Sequence, residues 1–76
     1  MQAYTVEIGR ALGDRQLAAL RWELFEFHEI EDVVNGTRPG TVTILYEGEL
    51  RLEAWLRALA LLGYEARRAS GQPDAA

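Results

Sequence analysis

Apolar and polar residues alternate along residues 41–47, the segment around which the other predicted elements are arranged. Its sequence is Thr-Val-Thr-Ile-Leu-Tyr-Glu, and six of these seven residues are β-branched, aromatic or apolar. A period of two in such residue types predicts a half-buried β-strand. One amphipathic helical pattern precedes this segment and another follows it. We therefore expect a central strand that pairs on both sides and has one face covered by helices.

Three further strands are predicted around this central one. The first alternates over residues 4–8, the second covers residues 30–35, and the last is a short strand at residues 64–69. Residues 35–40 (Asn-Gly-Thr-Arg-Pro-Gly) are dense in turn-forming residues. They predict the loop of a hairpin between the second strand and the central one.

Two amphipathic helices are predicted between the strands. Residues 16–27 form the first, with Asp14 before them as an N-cap or first-turn acid. Residues 49–62 form the second, and Gly63 is expected to end it as a C′ glycine. The expected buried residues are Leu17, Leu20, Leu24 and Phe27 in the first helix and Leu52, Trp55, Leu56, Leu59 and Leu62 in the second.

The order of elements, βαββαβ, is that of the split βαβ or ferredoxin-like arrangement. Right-handed crossovers place both helices on one face of a four-stranded antiparallel sheet with the strand order 4-1-3-2. We therefore predict an α+β, ferredoxin-like sandwich as one domain over residues 1–69, with Ile44 at the centre of its core. Residues 70–76 are predicted to be a flexible C-terminal tail.

Composition limits the classes of function. The chain of 76 residues has no cysteine, so neither a disulfide nor a thiolate metal site can form. Twelve acidic residues against eight arginines give a net charge of −4, which disfavours nucleic acid as a partner. No apolar run approaches the roughly 20 residues of a membrane span, and no signal peptide is visible. We expect a soluble, cytoplasmic protein without membrane association.

The apolar positions between residues 4 and 68 have the spacing of a known domain family. They are Val6 and Ile8, then Leu17, Leu20 and Leu24, then Ile30 and Val33, then Val42, Ile44 and Tyr46, and finally Gly63-Tyr64-Glu65. In this spacing the chain resembles the heavy-metal-associated domain of copper chaperones and of metal-ATPase N-terminal modules. The resemblance implies the ferredoxin-like scaffold of that family.

The metal-binding residues of that family are replaced in this chain. The resemblance places the two cysteines of its Cys-x-x-Cys motif at Gly13 and Gln16, and its loop methionine at Ala11. Two thiolates at this spacing suit Cu(I), whereas glycine has no ligand atom and glutamine offers a neutral oxygen. A family glycine before the second strand is Glu29 here. The resemblance therefore implies the scaffold without its metal chemistry.

Other chemical groups are few. His28 is the only histidine and lies beside four acids within residues 26–32, so an alternative hypothesis is a carrier of metal or small ligands. Such a carrier would use non-cysteine ligands near His28 or near residues 13–16. No Ser/His/Asp set, phosphate-binding glycine loop or pair of carboxylates can be assembled. We therefore predict neither an enzyme nor a cofactor.

Several apolar residues have no place in the predicted core. At roughly 100° per residue, they fall away from the buried stripe of each helix, or on the open face of the sheet. Leu50 and Ala58 belong to this group. The candidate interface residues are Ala18, Trp22 and Phe25 on the first helix, Leu61 on the second, and Val34 and Leu45 on the sheet. They predict an interaction module that binds a protein partner or forms a homo-oligomer.

Overall fold

A computed structural model of the protein describes residues 1–69, so the predicted tail at residues 70–76 lies outside the described residues. The described part is an α+β structure with a four-stranded antiparallel sheet and two helices. The elements are β1 (Gln2–Glu7), α1 (Asp14–Leu24), β2 (Ile30–Asn35), β3 (Thr41–Tyr46), α2 (Leu52–Leu61) and β4 (Arg67–Arg68).

The strands lie in the order β2-β3-β1-β4 across the sheet. The expected order 4-1-3-2 is counted from the opposite edge and names the same three neighbouring pairs. The predicted central strand, β3, lies inside the sheet between β1 and β2. Its register with β1 pairs Ile44 with Tyr4 and Val42 with Val6, so apolar side chains share one face.

One face of the sheet and both helices enclose the core. Ile44 is fully buried there, as predicted, and so is Trp55. The core cluster consists of Tyr4, Val6, Ile8, Leu17, Leu20, Leu24, Ile30, Val33, Val42, Ile44, Tyr46, Trp55, Leu59 and Tyr64. The core residues of β1 and β3 are all of one parity, and buried residues of both helices join them, so the two helices cover the same face of the sheet.

The bounds of α1 differ from the prediction of residues 16–27. Gly13 is the N-cap, and its N–H donates to Oε1 of Gln16 at 2.6 Å, which leaves Asp14 as the first-turn acid. After Leu24 the backbone bonds shorten from i−4 to i−3 partners, as in a 3₁₀ turn. Phe27 therefore follows the helix, although its side chain still packs against the core.

The second helix, Leu52–Leu61, begins later than the predicted residue 49 and ends one residue before the predicted residue 62, with Gly63 at the predicted position after it. Gly63 has φ of +92°, and its N–H donates to the carbonyl of Ala60 at 3.0 Å. The N–H of Tyr64 donates to the carbonyl of Leu59 at 3.0 Å, which completes a Schellman motif. The prediction of a C′ glycine is confirmed.

Three predictions around α2 are wrong. Leu62, expected in the core, follows the last helical residue and is exposed. Leu50 and Ala58, expected off the buried stripe, pack partly buried against the core. The last strand, predicted at residues 64–69, is limited to Arg67–Arg68, which pair with Glu7 and Val6 of β1.

Candidate interaction surface

The outward side of α1 carries the largest exposed aromatic side chains of the described chain. Trp22 is 77% exposed and Phe25 is 44% exposed. The reason is the helical period, because Leu17, Leu20 and Leu24 face the core and Trp22 lies on the opposite side. We call this side the α1 outer face. It comprises Arg15, Ala18, Ala19, Trp22, Phe25 and Glu26, all of which are exposed.

Aromatic and acidic groups adjoin on this face. Trp22, Glu23, Phe25 and Glu26 line a shallow, open depression. Within residues 1–69 neither of the two carboxylates forms an ion pair. The depression therefore offers apolar rings beside negative charge that no side chain of residues 1–69 neutralises.

The six predicted interface residues do not form one surface. Ala18, Trp22 and Phe25 share the α1 outer face, and Leu61 is the last residue of α2, 86% exposed. Val34 and Leu45 lie on the face of the sheet that turns away from the helices, and both are only partly exposed. The sheet itself separates these two from the helical residues.

The open face of the sheet is partly polar. The hydroxyl groups of Thr5 and Thr43 are hydrogen-bonded at 2.9 Å across β1 and β3. Val34 pairs with Thr43, and Leu45 lies between Ala3 and Asp32 on the neighbouring strands. These polar and small neighbours interrupt the apolar surface, so this face is a weaker candidate than the α1 outer face.

Side chains block the outer edge of β2 at Val33. Its N–H donates to Oδ1 of Asp32 at 2.8 Å, and its carbonyl accepts from Nε of Arg21 at 3.2 Å. Arg21 and Asp32 also form an ion pair at 3.3 Å. In an antiparallel pair, the N–H and C=O groups of alternate residues point away from the paired strand, and at Val33 they point to the outer edge of β2. We call this arrangement the β2 edge latch, because it occupies backbone groups that another strand would need.

The opposite edge of the sheet offers little backbone for pairing. Its strand, β4, has two residues, both arginines. Arg67 forms an ion pair with Glu7 of β1 at 3.3 Å. A short and charged edge strand is a poor template for another strand.

Three groups of the alternative carrier hypothesis are engaged in other contacts. The Gln16 side chain bonds the N-cap amide of its own helix, and the Asp32 carboxylate belongs to the β2 edge latch. The Glu29 carboxylate accepts from the indole of Trp55 at 2.8 Å. Across residues 1–69 no three His, Asp or Glu side chains are grouped so that they could hold a metal ion.

The environment of Glu29 lowers its pKa from the ordinary value of 4.5. Burial is the largest single influence and raises the pKa. The hydrogen bonds from Trp55 and from the backbone, together with the charges of Arg51 and His28, lower it by more. The hydrogen bond from Trp55 thus favours the charged form of this carboxylate.

Three members of the α1 outer face were not identified from the sequence. Arg15, Ala19 and Glu26 follow Trp22 in spacing, since residues 15, 19, 22 and 26 form a regular 4-3-4 series. Such a series marks one continuous stripe on a helix. The sequence contains this signal, but of the stripe only Trp22 is among the predicted interface residues.

Comparison with known proteins gave no match, either to a protein-family model or to a curated protein. In the part of the chain described here, neither helix has the length and apolar character needed to cross a lipid bilayer.

Proposed function

We propose that this protein is a non-enzymatic interaction module that binds protein through the α1 outer face. The observation that carries the proposal is the exposure of Trp22, 77%, with Phe25 one turn away. Tryptophan is among the residues that most often dominate binding energy at protein interfaces. Two aromatic rings exposed to water beside small alanines form a surface whose burial is favourable, because burial removes apolar area from water.

The other surfaces are less suited to binding protein, which supports this assignment. The β2 edge latch and the short β4 occupy the edges through which sheets usually associate. The open face of the sheet carries a hydrogen-bonded threonine pair. Within residues 1–69, the α1 outer face combines exposed aromatic area with small side chains.

The scaffold we propose is ferredoxin-like and related in pattern to heavy-metal-associated domains, without their thiolates, in a cytoplasmic protein. The antiparallel pairing of β1 with β3 and the coverage of one sheet face by both helices support it.

The double substitution Gly13→Cys and Gln16→Cys tests the proposed relation to heavy-metal-associated domains. It is expected to create a stoichiometric Cu(I) site, because the two thiolates would flank the start of α1. A folded double variant without Cu(I) binding would contradict the proposed alignment.

A site-specific photo-crosslinker tests the proposed interaction surface in cells. Benzoylphenylalanine at Ala18 is expected to give a defined adduct, with the same protein or with another one. The matched control carries the crosslinker at Thr43, on the open face of the sheet, and should give no defined adduct. Adding Trp22→Glu to the Ala18 variant should abolish the adduct. Equal labelling from both positions, or none from Ala18, would overturn the proposal.

A further inference from the structure

We propose that the partner on the α1 outer face is a second copy of this chain, with the two α1 helices packed antiparallel about a twofold axis. This inference rests on the proposed function, since it names the partner of the same surface. Three properties of α1 support it: the placement of its small and large residues, the placement of its charges, and its own dipole.

Small and large side chains are placed so that α1 complements itself. Residues 15, 19 and 22 form one stripe along the helix, and Glu26, in the turn that follows α1, continues its spacing. In an antiparallel pair centred between Leu20 and Arg21, Trp22 of each helix meets Ala19 of the other. An exposed indole facing a methyl group can lie flat, and the small residue lets the helix axes approach. The same surface thus supplies both the bulky Trp22 and the small Ala19 against which it packs.

Charges on the stripe are complementary about the same centre. The pair Arg15 and Glu26 has the same midpoint on the helix as the pair Ala19 and Trp22. An antiparallel dimer therefore brings Arg15 of each copy next to Glu26 of the other, and forms two ion pairs. A parallel arrangement would bring like charges together. Neither residue forms an ion pair within residues 1–69.

The dipole of α1 favours the same orientation. Arg15 lies in the first turn and Glu26 just beyond the last one, so each lies at the less favourable end of its own helix. In the antiparallel pair, Glu26 lies near the amino end of the partner helix and Arg15 near its carboxyl end. Association therefore places both charges where the neighbouring dipole stabilises them.

The contact is small, which sets the expected affinity. The helix has 11 residues and is about 16 Å long at 1.5 Å per residue. Two such helices cover less area than the roughly 1,200–2,000 Å² of a standard stable interface. We therefore expect a dimer with a micromolar rather than a nanomolar dissociation constant.

Sedimentation equilibrium of charge-reversed variants tests this dimer. Arg15→Glu and Glu26→Arg should each raise the dissociation constant about tenfold or more, because like charges then face each other twice. The double variant restores opposite charges at both contacts and should return to within about threefold of the wild type. An equimolar mixture of the two single variants should form a heterodimer. Arg57→Glu, at an exposed position of α2, is the matched control and should leave the constant unchanged.

Two results would overturn the second copy as partner: a wild type that is monomeric at about 1 mM, far above the expected constant, or a double variant as weak as the single ones. Circular dichroism of each variant checks that the fold is retained, and Trp22→Ala supplies a second, uncharged disruption of the dimer. An adduct from Ala18 that contains only another protein would also overturn the second copy while supporting the proposed function. Absence of any adduct would overturn both.

Discussion

The indole N–H of Trp55 donates to the carboxylate of Glu29 at 2.8 Å, so the buried tryptophan of α2 is joined to the residue that precedes β2. The ring of Trp55 is fully buried and lies edge-to-face against Tyr46 of β3, with the ring centroids 5.1 Å apart. The carbonyl of Glu29 also accepts from the N–H of Glu47 at 2.9 Å. One residue thus joins α2 to the neighbouring ends of β2 and β3.

The pH dependence of folding should report on this contact. The pKa of Glu29 is lowered in the folded state, so its contribution to stability is present above pH 4.5 and is lost as the pH falls through the folded-state pKa. Glu29→Gln should therefore be less stable than the wild type at neutral pH, by about 1 kcal/mol. The difference should shrink towards pH 3. Urea unfolding at both pH values measures it, and a difference independent of pH would contradict the role of the carboxylate.

The central strand should dominate the stability of the core. Ile44 is fully buried, so Ile44→Ala should lower the free energy of unfolding by about 2–5 kcal/mol. Leu45→Ala, at the next position on the open face of the sheet, is the matched control and should cost clearly less, because Leu45 is only partly buried. Thermal and urea unfolding compare the two variants. Equal losses would mean that the two faces of β3 are assigned wrongly.

The end of α2 should depend on the left-handed backbone of Gly63. Because its φ is +92°, a β-carbon there is strained, and Gly63→Ala should cost about 1–2 kcal/mol of unfolding free energy. Gly63→Asn should lose less, since asparagine tolerates this conformation better. If both substitutions had the same effect, the loss would come from something other than backbone conformation.

Opening the β2 edge latch should expose the amide of Val33. Asp32→Ala removes the acceptor of that N–H, so its hydrogen exchange should become about three- to tenfold faster. The variant should also aggregate more readily, because the edge of the sheet becomes available for pairing. Glu31→Ala removes a neighbouring exposed carboxylate and controls for the change in charge. Unchanged exchange at Val33 would show that the latch does not protect this edge.

The two tryptophans should respond in opposite ways to the same substitution. Trp22→Glu should change the stability of the folded monomer by no more than about 0.5 kcal/mol, because the side chain is 77% exposed. Trp55→Glu should prevent folding, because it places a charge in the core beside Glu29. Circular dichroism at low protein concentration separates folding from association. An unfolded Trp22→Glu variant would place that residue in the core.

The sequence located the elements well where hydrophobic periodicity decided them. The alternation around Ile44 identified β3, and the helical stripes placed Trp22 outside the core and Trp55 inside it. The end of α1 was misplaced because a 3₁₀ turn carries Phe27 to the core at a spacing that also fits a longer helix. Leu62 was misplaced for a related reason, since the pattern does not show where the backbone leaves the helix.

The contacts between elements were not predictable in the same way. The β2 edge latch needs Arg21 and Asp32 to meet across two elements, and this depends on how α1 lies against β2. The pairing of Glu29 with Trp55 joins residues 26 positions apart. Val34 and Leu45 were assigned to the correct side of the sheet, but the sequence does not state which outward residues share one surface.

The β2 edge latch has a consequence for the size of any assembly. A sheet with a free edge can add a further copy after each addition, so growth along it has no natural end. With that edge occupied at Val33, and with β4 limited within residues 1–69 to two arginines, such growth is disfavoured. A contact between helices about a twofold axis forms a closed dimer, because one partner occupies the whole contact surface of each copy. The geometry of Arg21 and Asp32 thus favours a closed pair over an endless chain of copies.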